Sequence, residues 1–65
     1  MKIHLNGASL DTEHSDLAAL VAALGHEADK VATAVNGLFV ARPSRAHTPL
    51  SEGYAVEVLA PMEGG

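Results

Sequence analysis

Two Asn-Gly dipeptides, Asn6-Gly7 and Asn36-Gly37, constrain the fold of this chain more than any other feature. An Asn-Gly pair favours a two-residue type I′ turn, because both central residues of that turn need positive φ. Each pair is flanked by residues with the composition of β-strands, so each predicts a tight hairpin. We therefore expect two hairpins with a connecting segment between them.

The first hairpin is predicted to join strands over residues 1–5 and 8–13. Apolar and polar residues alternate through the first of these, which is typical of a half-buried strand. In the second, Leu10 is the inward-facing candidate.

The segment after the first hairpin predicts one amphipathic helix. Ser15 is expected to be its N-cap, with Asp16 beside it near the positive end of the helix dipole. Gly25 is expected to end the helix in a left-handed conformation. One apolar stripe is spaced at i, i+3, i+4 and i+7 and comprises Leu17, Leu20, Val21 and Leu24.

The second hairpin is predicted over residues 31–35 and 38–41. Pro43 interrupts it, residues 46–53 are expected to be loop with a short turn around Leu50, and residues 54–59 read as a last strand. The element order is then ββ-α-ββ-β. A helix this short needs a sheet to pack against. Pairing of the first and last strands at the centre, which compactness and a family resemblance imply, gives an α+β fold of the β-grasp (ubiquitin-like) type, with about five strands on one helix.

A chain of 65 residues has room for one domain. We expect that domain over residues 1–60, followed by a flexible C-terminal tail over residues 61–65. Pro61 ends the last strand, and no long apolar residue follows Met62.

Composition excludes several function classes. The chain has no Cys, hence no disulfide, thiolate metal site or catalytic thiol. Its net charge is −4 without the basic stripe expected of nucleic-acid binding. No apolar run is long enough for a membrane span or a signal peptide. The predicted class is a soluble, cytoplasmic, non-catalytic protein.

Scattered polar residues offer little catalytic chemistry. The four histidines could be gathered into a metal site by folding, but surface or loop positions explain them better: His4, His14, His26 and His47. A loose acidic run around the helix is interpreted as a solvated face, with docking of a basic partner as the alternative: Asp11, Glu13, Asp16, Glu27 and Asp29. Arg42 is either an exposed cation or a contact for a partner's carboxylate or phosphate.

The two terminal glycines have a chemical rationale. The carboxyl group of Gly65 has a reference pKa of about 3.5 and is ionised at neutral pH, so it must be activated before it can donate an acyl group. An activating enzyme has to enclose the acyl-adenylate and exclude water. Gly64, without a Cβ, suits a narrow passage, and Glu63 and Met62 would enter behind it. Leu59, if exposed beside the tail, is a candidate anchor, as is Met62.

The chain resembles the ThiS family, the sulfur carriers of thiamine thiazole biosynthesis, over essentially its whole length. The resemblance rests on the two Asn-Gly turns, the helix from Leu17 to Gly25, Val40 and Arg42 after the second turn, Leu50 and Gly53 before the last strand, and the terminal Gly64-Gly65. Two departures are Tyr54, where the family often has Asp, and Met62-Glu63 before the glycines.

This resemblance implies a mechanism and partners. A ThiF-like enzyme would use ATP to adenylate the carboxylate of Gly65, and a cysteine desulfurase or related sulfur donor would convert the adenylate to a thiocarboxylate. The thiazole synthase ThiG would then receive the sulfur. No cofactor or metal is bound by the carrier in this scheme.

Three alternatives stay open. The nearest is a carrier like the small subunit of molybdopterin synthase, which shares the fold and the tail. A ubiquitin-like modifier joined to lysines is the second. The third is a β-grasp interaction domain whose tail has no chemical role.

Overall fold

The computed structural model describes residues 1–60, which form one five-stranded mixed sheet packed on one α-helix. The strands are β1 (Lys2–Leu5), β2 (Ala8–Asp11), β3 (Ala32–Val35), β4 (Leu38–Val40) and β5 (Ala55–Leu59), and the helix α1 spans Leu17–Ala23. Two 3₁₀ helices, Ala28–Lys30 and Arg42–His47, lie before β3 and after β4. The predicted tail, residues 61–65, lies outside the described residues.

The strand order is β2-β1-β5-β3-β4, with β1 and β5 parallel and the other neighbours antiparallel. This confirms the ββ-α-ββ-β order and the central pairing of the first and last strands, hence the β-grasp fold. Each observed strand is one or two residues shorter than predicted.

Both Asn-Gly pairs form the predicted turns. Asn6 and Gly7 have φ of 50° and 85°, and Asn36 and Gly37 have φ of 51° and 83°. Positive φ at both central residues matches the type I′ geometry that suits the twist of the flanking strands. The hairpin registers follow from these turns, with Leu5 opposite Ala8 in the first.

The core lies between α1 and one face of the sheet. The helix contributes Leu17, Leu20 and Val21, each at most 2% exposed, which confirms the predicted stripe, while Leu24 is partly buried at its end. The sheet and the loops contribute the remaining buried apolar residues, namely Ile3, Val35, Leu50, Val56 and Val58. Burying each such side chain contributes about 1.5–3 kcal/mol, so a core of this size holds a small domain by a narrow margin.

The predicted N-cap at Ser15 is wrong. Asp16 caps the helix: it has extended backbone angles, and its Oδ1 accepts a hydrogen bond of 2.8 Å from the N–H of Ala19. The carbonyl of Ser15 instead accepts from the N–H of Leu50 at 2.9 Å. Sequence does not separate the two, because Ser and Asp are equally good N-caps at adjacent positions.

The segment after β4 is more ordered than predicted. Residues 42–47 form a 3₁₀ helix with Pro43 in its first turn. Pro suits this position because a backbone N–H in the first turn has no acceptor within the helix, so its absence costs nothing. Residues 48–50 then run against the start of α1, with the N–H of Leu17 donating to the carbonyl of Thr48 at 3.0 Å. This backbone pairing places Leu50 in the core at 6% exposure.

Candidate functional site

The C-terminal end of β5 is the part of the described structure that immediately precedes most of the predicted site residues. β5 ends at Leu59, and residue 60 is the last described. Four predicted site residues lie beyond it and outside the described residues: Met62, Glu63, Gly64 and Gly65. What the structure defines is the surface from which this segment departs.

On one side, the end of β5 is held by the side chain of Asn6. The parallel ladder between β1 and β5 pairs Leu5 with Val56, and the N–H of Asn6 donates to the carbonyl of Val56 at 2.9 Å. The Asn6 amide then bonds both backbone groups of Val58. Its Nδ2 donates to the carbonyl at 3.1 Å, and its Oδ1 accepts from the N–H at 3.0 Å.

On the other side, β5 is paired with β3. Ala32 lies opposite Leu59, and Thr33 lies opposite Val58. The backbone of Val58 is therefore placed between a strand on one side and a side-chain amide on the other. Both hydrogen-bonded sides together fix the position and direction of the chain as it leaves the sheet.

The start of β3 is itself fixed by Arg45, which is 3% exposed. Its guanidinium donates from Nη1 to the carbonyl of Ala28 (2.7 Å), from Nη2 to that of Val31 (2.7 Å) and from Nε to Oγ1 of Thr33 (2.9 Å). The Thr33 hydroxyl in turn donates a hydrogen bond to the carbonyl of Val40 at 2.8 Å. The 3₁₀ helices and β4 are thereby tied to the strand beside β5.

An exposed apolar patch borders the end of β5 on the sheet face away from the helix. Leu59 is 57% exposed and Phe39 is 73% exposed. They line a shallow groove with Ala32 and Ala34, which occupy the cross-strand positions beside them, and Thr33 and Glu57 complete its lining. The four apolar residues of the groove are Leu59, Phe39, Ala32 and Ala34. We call these four residues the Leu59 patch. Exposed apolar clusters of this kind are typical of protein-binding surfaces.

Arg42 lies elsewhere. It is exposed and lines a cleft of about 290 Å³ on the helix side, together with Val21, Ala22 and Arg45. The two residues predicted as partner contacts, Arg42 and Leu59, are therefore not brought into one pocket among residues 1–60.

The histidines do not come together. All four are exposed, and residues 1–60 contain no group of three or more His, Cys, Asp or Glu side chains arranged to hold a metal ion. The acidic residues near the helix include Asp16, whose role as the N-cap is structural. No helix within the described range is long and apolar enough to cross a membrane.

Two residues of this site, Asn6 and Arg45, are not predicted from the sequence. The Asn6-Gly7 pair predicts a turn alone, and nothing in an Asn-Gly pair indicates that the side chain will reach a strand distant in sequence. Arg45 follows Pro43, where the sequence predicts only an interruption of the hairpin, although its spacing of three from Arg42 fits one turn of a 3₁₀ helix. A buried cation bonded to neutral oxygens leaves no acidic partner to find in the sequence.

The model of the ThiS family matches residues 3–65. A crystal structure of a thiamine biosynthesis protein (ThiS) from Geobacter metallireducens is similar with a TM-score of 0.83 and 29% identity over 100% of both chains. An NMR solution structure of a thiamine biosynthesis protein from the same organism has a TM-score of 0.82 and 32% identity, and the similarity covers 100% of this chain and 88% of that one.

A search of curated proteins gave no significant match. The family match extends through the two hairpins, the helix and the C-terminal glycines, and the structural similarity covers the entire chain. The chain belongs to the ThiS family.

Proposed function

We propose that this protein is a sulfur carrier of thiamine biosynthesis and that the carboxylate of Gly65 is the group that carries the sulfur. The observation that supports this most is the family match, which reaches residue 65 and so includes the terminal Gly64-Gly65. Membership in the family and similarity to two structures of one thiamine biosynthesis protein favour the thiamine pathway over that of molybdopterin.

In the first step, an oxygen of the Gly65 carboxylate attacks the α-phosphorus of ATP. A new acyl–O–P bond forms, the bond to the β-phosphate breaks, and pyrophosphate leaves. The product is an acyl-adenylate with AMP as its leaving group. The enzyme that catalyses the step is a ThiF-like partner, so ATP is a substrate of the partner and the carrier supplies the acyl group.

In the second step, a nucleophilic sulfur attacks the acyl carbon and AMP leaves with the bonding electron pair. When the sulfur is delivered as the persulfide of a cysteine desulfurase or a related donor, the product is an acyl disulfide, and a thiol then cleaves it by disulfide exchange to release the thiocarboxylate. The thiazole synthase ThiG receives the sulfur. The carrier contributes the reacting carboxyl group and its placement, and catalytic side chains come from the partners.

The Leu59 patch is the surface that we propose docks the adenylating partner. It lies beside the end of β5, so a partner seated on it has the tail within reach. Leu59 and Phe39 supply apolar area that a partner buries on binding. Arg42, on the helix side, is a second contact, for an acidic group of the same or another partner.

Adenylation is tested by ATP–pyrophosphate exchange with the ThiF-like enzyme. We expect exchange that depends on this protein and is lost when Gly65 is deleted. Ser51→Ala, at an exposed loop position, is the control variant. Gly37→Ala is unsuitable as a control because Gly37 needs positive φ. Exchange that persists without Gly65 contradicts the proposal.

The pathway is tested by gene deletion. We expect a requirement that thiazole or thiamine satisfies. A requirement satisfied by molybdenum cofactor would instead assign the chain to the molybdopterin pathway. Detection of this chain joined to lysines would identify it as a ubiquitin-like modifier.

A further inference from the structure

Asparagines of the two turns hold β5 near its two ends. Asn36 Oδ1 accepts from the N–H of Ala55, the first residue of the strand, at 2.9 Å. Asn6 bonds the N–H and the carbonyl of Val58, one residue before the strand ends. The Asn36 turn therefore holds the start of β5, and the Asn6 turn holds the end that leads to the tail.

The contact of Asn6 replaces a missing piece of strand. β1 stops pairing with β5 because its backbone reverses at Asn6-Gly7, where φ becomes positive. Val58 would then have two backbone groups without a partner on that side. A primary amide carries one donor group and one acceptor, like a peptide unit, and the Asn6 side chain presents both to Val58. The side chain thus continues the parallel ladder past the turn.

The position of Val58 matters for the tail because few residues separate it from the reacting group. Seven residues follow Val58 in the sequence, and the last of them is Gly65. The direction of the chain at Val58 and Leu59 determines the direction from which the tail starts toward the active site of a docked partner. Displacing a reacting group by about 1 Å can lower a rate by about a hundredfold.

We propose that Asn6 is a positioning residue for the activation of Gly65: its amide fixes the end of β5 so that the tail enters the adenylating enzyme in a productive direction. This inference rests on the function proposed above. Asn6 touches none of the reacting atoms, and it acts through Val58. Both its donor and its acceptor are needed, whereas Asn36 uses its acceptor toward β5.

The test compares Asn6→Gly with Asn36→Gly. Gly-Gly is also a good type I′ pair, so both variants keep their turns and lose a side-chain contact with β5. Steady-state adenylation is measured with saturating ATP and varied carrier. We expect Asn6→Gly to lower kcat by about tenfold or more with KM nearly unchanged, because the Leu59 patch is intact, and Asn36→Gly to keep kcat near that of the wild type.

A purely structural role is separated by two further readouts. Hydrogen exchange of the Val58 N–H should accelerate in Asn6→Gly while the N–H groups of the core strand β3 keep their protection, and both variants should be fully folded at the assay temperature. A general loss of protection together with parallel losses of kcat in both glycine variants would overturn the proposal.

The second pair of variants tests the donor separately. Asn6→Asp retains an acceptor for the Val58 N–H but places a carboxylate oxygen against the Val58 carbonyl, whereas Asn36→Asp retains the acceptor that Ala55 uses. We expect kcat to fall in the first variant and to be preserved in the second. Equal kcat in all four variants and the wild type would overturn the role of Asn6 and leave the carrier function intact. A wild-type protein that is not adenylated would refute the carrier function itself.

Discussion

The guanidinium Nε of Arg45 donates a hydrogen bond of 2.9 Å to Oγ1 of Thr33, and the two side chains are 3% and 2% exposed. Thr33 lies opposite Val58 in the neighbouring strand. Arg45 therefore stabilises the strand that flanks the end of β5, although it follows β4 and contacts no part of β5 through these hydrogen bonds.

Replacing Arg45 by Met should strongly destabilise the protein. The substitution removes three hydrogen bonds and leaves the carbonyls of Ala28 and Val31 without their side-chain donor. We expect a loss of about 2–4 kcal/mol in the free energy of unfolding, measured by urea denaturation. Arg42→Met, at an exposed position of the same 3₁₀ helix, is the matched control and should change stability by less than about 0.5 kcal/mol. Equal stability of the two variants would contradict this role for Arg45.

Replacing Asp16 by Ala should remove the N-cap of α1. Asp16 Oδ1 accepts from the Ala19 N–H at 2.8 Å, and losing such a cap costs about 1 kcal/mol. Ser15→Ala should be close to neutral, because the backbone carbonyl of Ser15 makes the contact to Leu50. Thermal denaturation of both variants measures the difference, and the opposite ranking would restore Ser15 as the cap.

Replacing Leu50 by Ala should open a cavity in the core. Leu50 is 6% exposed in a segment without a strand or an α-helix. Truncating a buried Leu costs about 2–5 kcal/mol, a large part of the stability of so small a domain. Leu38→Ala is the control, since Leu38 is 73% exposed. A Leu50→Ala protein as stable as Leu38→Ala would show that the segment does not pack as described.

Introducing a charge into the Leu59 patch should weaken binding of the adenylating partner without unfolding the carrier. Leu59→Glu places a carboxylate at a site that is 57% exposed, so we expect little change in stability. KM for the carrier in adenylation should rise by about tenfold, because burial of a charge opposes docking. Leu38→Glu adds the same charge at an exposed apolar residue outside the patch and should leave KM unchanged. An unchanged KM for Leu59→Glu would exclude the patch as the docking surface.

Local patterns were sufficient to predict most of the fold. The Asn-Gly turns fixed both hairpins, and the spacing of Leu17, Leu20 and Val21 fixed the buried face of the helix, since each depends on residues close in sequence. The choice between Ser15 and Asp16 as the N-cap was missed because either residue type can make the same bond.

The contacts that define the site were harder to predict. Asn6 and Val58 are separated by 52 residues, and Arg45 and Ala28 by 17. Such contacts depend on how the sheet brings distant segments together, and Asn or Arg is equally common on exposed surfaces. The role proposed for Gly65 rests on chemical reasoning and on the family, since residues 61–65 lie outside the described residues.

Conversion of the Gly65 carboxylate to a thiocarboxylate is tested by intact-mass spectrometry of the protein after incubation with the ThiF-like enzyme, ATP and a sulfur donor. We predict a gain in mass equal to the difference between sulfur and oxygen, located at Gly65 by fragmentation. Hydrolysis of the thiocarboxylate back to the carboxylate should reverse this gain. An unchanged mass, under conditions in which an established carrier is converted, would contradict the account, as would a product in which Gly65 is joined to a lysine.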